Sequence, residues 1–77
     1  MPPRAKPRPI GTLLEGVRFQ LACYDTPRTG TVVSHSPAGT SVRYDPYMTV
    51  YEEEEVQVPG SRASELISSG TSVRPVR

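Results

Sequence analysis

The side chains able to do chemistry fall into a few groups. Tyr24, Tyr44 and Tyr47 stand at strand ends or in loops, with Asp25 and Asp45 beside them. Ring faces next to negative charge attract a cation such as a methylated ammonium. The plainer reading puts Tyr44 in the core and makes the others half-buried caps with wet hydroxyls. Arg18, Arg28 and Arg43 are expected to face outward, with Arg18 and Arg43 sharing one sheet surface. Near Tyr47 or Tyr51 they would form a modest nucleic-acid surface, guanidinium to phosphate and ring to base. Against that, nucleic-acid domains usually have a pI above about 9, and this chain's is near 7.9.

The remaining groups carry less. Glu52 to Glu55 form an unbroken acidic run. Hard cations need oxygens that converge from a turn shaped by glycine or asparagine, and four extended glutamates do not converge. A solvated, aggregation-blocking edge is the expectation. Cys23 and His35 are the only residues of their types. Metal binding would need carboxylates from elsewhere. Nucleophilic chemistry by Cys23, with His35 as base, would need paired strands and an accessible thiol. Cys23 instead shares its predicted inward face with Phe19 and Leu21, where a thiol is inert. The prolines of the opening segment fit a P-x-x-P ligand poorly, since Pro2 to Ala5 and Pro3 to Lys6 both fail the spacing. A flexible leader is the better reading.

The elements that must hold these residues are short. In VRFQLAC, Val17, Phe19, Leu21 and Cys23 alternate with Arg18, Gln20 and Ala22, the pattern of a half-buried strand. A second strand, about Thr29 to His35, is rich in β-branched residues, and Pro37-Ala38-Gly39 turns the chain into a third, Thr40 to Tyr44. MTVY and EVQVP are both β-prone, but a straight strand through the glutamates would bury unpaired carboxylates. A bulge, turn or solvated edge is therefore expected near Glu52 to Glu54. Ser61 to Ser69 carries a weak helical signal, with Ser61 or Ser64 as cap and Leu66 and Ile67 turned inward. TSVRPV closes as an edge strand, because Pro75 lacks an amide donor.

Composition sets the bounds. The chain has 77 residues, with nine prolines, six glycines and 35% apolar residues, which allows one small domain of short strands and turns. Residues 1–11 read as a disordered, basic, proline-rich tail bearing Arg4, Lys6 and Arg8, and residues 12–77 as the domain. One cysteine permits no internal disulfide, the opening segment lacks a signal peptide's apolar stretch, and no run could cross a bilayer. A cytoplasmic protein with no membrane partner is expected. Net charge is +1, with basic ends around the acidic run, so partners of either sign can be steered, a second copy included.

The run EGVRFQL, GTVV, GTSVRYD, YEEEEVQV, LISSGTSVRPV resembles SH3-like barrels of the Tudor or KOW kind over about residues 13–76. The resemblance implies a mostly β fold, a five-stranded antiparallel barrel with a short 3-10 turn before the last strand. It also implies that loop aromatics such as Tyr24, Tyr44 and Tyr47 could cage a methylated cation. A plasmid-borne dihydrofolate reductase family uses a similar barrel as a tetramer around a catalytic pore, with a Val-Gln-Ile-Tyr pore segment. Val56-Gln57-Val58 resembles its first part, but Pro59 stands at the tyrosine position. The activity is not carried over.

The expected core is Val17, Phe19, Leu21, Val32, Val42, Tyr44, Val56, Val58, Leu66, Ile67 and Val73. The expected function is a small non-catalytic module that binds a protein through Tyr24, Arg28, Arg43, Tyr47 and Arg18. DNA or RNA binding through the same arginines and the tail is the alternative. No cofactor or metal is implied, and the oligomeric state is left open.

Overall fold

The computed structural model describes residues 6–22 and 28–76. Eight strands alternate with turns: β1 (Arg8–Pro9), β2 (Arg18–Leu21), β3 (Thr29–Ser36), β4 (Gly39–Tyr44), β5 (Tyr47–Tyr51), β6 (Glu54–Val58), β7 (Glu65–Ile67) and β8 (Ser72–Val76). Six form an antiparallel sheet in the order β1-β8-β2-β3-β4-β7, and β5 and β6 form a separate hairpin. The fold is thus mostly β, as expected. The larger sheet is open, with β1 and β7 as its two ends.

The alternation read in the sequence operates in β2, where Phe19 and Leu21 are buried while Arg18 is exposed. β3 and β4 pair from Gly30↔Tyr44 to Ser36↔Gly39, with a register shift between Val32 and Ser34 that turns Val32 inward and leaves Val33 exposed. The glutamate run is resolved by a turn. Glu52 and Glu53 take positive φ (51° and 67°) between Tyr51 and Glu54, which are paired. Asn-Gly is the usual occupant of such a two-residue turn.

The core comprises Ile10, Leu13, Phe19, Leu21, Val32, Val42, Tyr44 and Val73, with Val17 and Ile67 packed partly against it. Phe19 meets Tyr44 edge-on, with centroids 5.9 Å apart. Five expectations need correcting. Among the described residues there are eight strands where five were expected. β8 is not an edge, because β1 pairs along Ser72 and Val73, and Pro75 lies beyond that pairing. Val56 and Leu66 are exposed and Val58 only half-buried, because β6 belongs to the hairpin and β7 is an edge. Residues 61–69 hold no helix: Glu65, Leu66 and Ile67 pair with Val42, Ser41 and Thr40, so the free edge of β4 outweighs a weak local propensity. The 3-10 turn among the described residues spans Ile10–Thr12 and does not precede the last strand.

That turn ties the start of the chain to its end. Arg8 and Pro9 pair with Val73 and Ser72, Ile10 N–H donates to Thr71 O (2.8 Å), and Gly11 N–H donates to Ser69 O (2.9 Å). His35 holds the same region, its Nε2 donating to Leu13 O while Nδ1 meets Thr40 Oγ1 at 2.9 Å. Thr40, fully buried, reaches Ser69 Oγ at 3.0 Å. Arg8 to Gly11 are thus paired with residues 69–73. Ile10→Ala should lower stability by about 2–3 kcal/mol. Leu14→Ala, at a side chain 78% exposed, should stay within about 0.5 kcal/mol. Urea midpoints of the two variants check the difference.

Candidate functional site

The site is built where β2, β3 and β4 run side by side. Arg18 pairs with Thr31, and Thr31 with Arg43, so the three side chains form a row across adjacent strands. This bears out the expectation that Arg18 and Arg43 share a sheet surface. The two arginines are nevertheless in different electrostatic states. Arg18 forms an ion pair with Asp45 and also donates to Thr31 Oγ1 at 3.3 Å. The hydrogen bond to Asp45, and then its charge, raise the Arg18 pKa above the ordinary value. Both partners are partly exposed (48% and 37%), so salt screens the pair. The Arg43 side chain is exposed and has no hydrogen-bond or ion-pair partner among the described residues.

Arg28 lies at the entry to β3, where its carbonyl accepts Leu21 N–H at 2.9 Å. Its guanidinium carbon sits 3.8 Å from the Tyr44 ring centroid and 5.6 Å from that of Tyr47. The cation over these rings is therefore the chain's own, and Tyr44 is otherwise a core residue only 7% exposed. Arg28 Nε is buried and has no hydrogen-bond partner among the described residues. Tyr24, expected beside this group, lies outside the described residues.

Next to the arginines an open groove of about 520 Å³ is lined by Thr31, Val33, Arg43, Tyr44, Asp45, Pro46 and Ser61. Ser61 joins this surface by donating its N–H to Tyr44 O (3.0 Å), while its Oγ donates to Glu65 (2.9 Å). Val33 and Pro46 were not singled out in the sequence, and Ser61 was read there only as a helix cap. For Val33 a signal was present, since the second valine of a Val-Val pair in a one-sided strand must face outward.

The other candidates are dispersed. Among the described residues no three His, Cys, Asp or Glu side chains gather as a metal site. Glu52 and Glu53 occupy a turn, while Glu54 and Glu55 alternate along β6. His35 is engaged with Leu13 and Thr40, and Cys23 lies outside the described residues. Gln57 is exposed on β6, opposite Met48. Among the described residues no helix is long and apolar enough to cross a membrane. Comparisons with protein-family models, with curated proteins and with solved structures returned no match.

Proposed function

We propose that this chain is a small non-catalytic interaction module of SH3-like type, which takes an acidic segment of a protein partner on the surface of Arg28, Tyr47 and Arg43. The observation that carries the reading is the state of Arg28. Its half-buried guanidinium is braced over Tyr44 and faces Tyr47, and its side chain makes no hydrogen bond or ion pair among the described residues. An oriented guanidinium with donors to spare matches a carboxylate, which can accept two parallel hydrogen bonds. Arg43 offers a second charge on the groove wall, and Val33 and Pro46 supply apolar contact beside it. The SH3-like assignment is supported by the path of the chain: β2, β3, β4 and β7 form a meander, and β8 returns beside β2, as the last strand of a barrel does.

Nucleic-acid binding is the second reading, favoured by the row of Arg18, Thr31 and Arg43 across three strands. The pI near 7.9 weighs against it, since nucleic-acid domains usually stand above about 9.

An acidic peptide titrated by calorimetry tests the first reading. Arg43→Glu is expected to weaken its binding about tenfold, or about 1.4 kcal/mol. Lys6→Glu, an equal change of net charge away from the site, should leave binding nearly unchanged. Equal losses in both variants, or equal binding of a peptide with glutamine in place of glutamate, would sink the proposal.

A further inference from the structure

The β5–β6 hairpin has no strand partner in the six-stranded sheet, and its two outer edges are built oppositely. The β6 edge carries Glu54 and Glu55 and runs into Pro59. Of the larger sheet's ends, β7 is three residues long and β1 is two, one of them proline. Charge, proline and shortness are the usual protections of a free edge. β5, Tyr47-Met48-Thr49-Val50-Tyr51, has none of them: five residues with no charge, no proline and, among the described residues, no second strand neighbour, and Met48, Val50 and Tyr51 more than half exposed.

The sequence of β5 also reads alike in both directions: tyrosine, aliphatic, threonine, aliphatic, tyrosine. We propose that β5 pairs antiparallel with β5 of a second copy of this chain, on a two-fold axis through Thr49, giving a four-stranded sheet β6-β5-β5-β6. A two-fold interface requires that what residue i contributes to j is returned by j to i. Here Tyr47 of each copy faces Tyr51 of the other, and Met48 faces Val50. The register supplies the hydrogen bonds as well. In a hairpin closed by a two-residue turn the flanking pair, Tyr51↔Glu54, exchanges hydrogen bonds and every second pair does likewise. Met48 and Val50 then direct their N–H and C=O groups to the free edge, and the two-fold pairing brings these same residues together.

Charge favours a second copy as the occupant. The hairpin, residues 47–58, holds four glutamates and no cation, while the rest of the chain holds nine cations and four acids. The pairing leaves Glu54 and Glu55 of both copies on the outer strands, away from one another. Extended past Tyr51, it brings the Glu52-Glu53 turn of each copy alongside Pro46 and Asp45 of the other, where Arg18, Arg28 and Arg43 gather. Two consecutive glutamates at positive φ are poor turn residues, each held there at a cost of backbone strain. An acidic tip aimed at a basic patch gives them a use. A two-stranded hairpin is marginal alone, and a four-stranded sheet is not.

Sedimentation equilibrium of the full chain in reducing buffer, so that Cys23 cannot cross-link, tests the dimer. The wild type should sediment as a dimer. Thr49→Lys, which sets two cations face to face on the axis, should sediment as a monomer with its amide spectrum otherwise preserved. Val50→Pro, which removes only an outward donor, should do the same. Tyr47 and Tyr51 lie about 13 Å apart within one strand, so an isotope-filtered contact between their rings can arise only across the interface. A monomeric wild type up to millimolar concentration, a dimer unaffected by both variants, or the absence of that ring contact in a dimer would each overturn the proposal. A monomer could satisfy the acidic-segment reading as well, and in the dimer the acidic turn of the second copy would compete with a peptide for Arg28 and Arg43.

Discussion

Phe19→Ala is expected to leave the chain largely unfolded at room temperature. Phe19 is completely buried in the middle of β2, between Gly30 on β3 and Pro75 on β8, and its ring meets Tyr44 edge-on at 5.9 Å. Gly30, lacking a side chain, leaves room for that ring: a Cβ there would come within 3.0 Å of Phe19 Cζ. Removing a buried phenylalanine costs about 3–5 kcal/mol, and a domain of this size has only about 3–5 kcal/mol in all. Far-UV circular dichroism and amide dispersion should both report loss of structure. Phe19→Leu, which keeps most of the volume, should remain folded with a lower urea midpoint. A folded Phe19→Ala protein with a near wild-type midpoint would mean that Phe19 is not central to the core.

The second large effect is expected at Gly39, the first residue of β4. It follows the Pro37-Ala38 turn with φ of +147°, where an L side chain is strained. A Cβ there would run into the backbone carbonyl of Ile67 and approach Leu66 Cδ1 at 3.4 Å. The strain alone costs about 1–3 kcal/mol, and the collision adds to it by pushing β7 off β4. Gly39→Ala should therefore lower the melting temperature strongly and speed hydrogen exchange of the β4 and β7 amides ahead of those in β2. Gly70→Ala, at ordinary φ and with Ser68 Oγ 3.7 Å away as its nearest neighbour, is the control and should behave as wild type. Uniform loss of protection across all strands in Gly39→Ala would contradict the local account.

What the sequence revealed was what depends on periodicity. The alternation of Val17, Phe19 and Leu21 located β2, and β-branched runs divided by Pro37 to Gly39 located β3 and β4. The impossibility of burying glutamates pointed to a bulge, turn or solvated edge near Glu52 to Glu54, which the structure makes a turn at Glu52 and Glu53. What stayed hidden depends on distant partners. Ile10 is a lone apolar residue among prolines and cations, and it joins the core because its segment pairs with residues 69–73, far along the chain. Leu66 and Ile67 have a spacing that suits a helix end equally well, and the free edge of β4 decides for a strand. At the site, alternation sufficed to put Arg18 and Arg43 outward, and strand pairing made them neighbours. Arg28 over Tyr44 follows from the entry into β3, which no period describes, and the compensation of Arg18 by Asp45 spans 27 positions.

The most direct test of the binding account is an amide chemical-shift titration against an acidic peptide and, separately, against mixed-sequence single-stranded DNA and RNA, at low and at physiological salt. Shifts at Arg28, Thr31, Val33, Arg43 and Tyr47 with the peptide are predicted to persist at physiological salt, while nucleic acid leaves these residues unmoved there. Shifts at Arg18, Arg28 and Arg43 with nucleic acid at physiological salt, with none for the peptide even at low salt, would contradict the account and give the surface to nucleic acid.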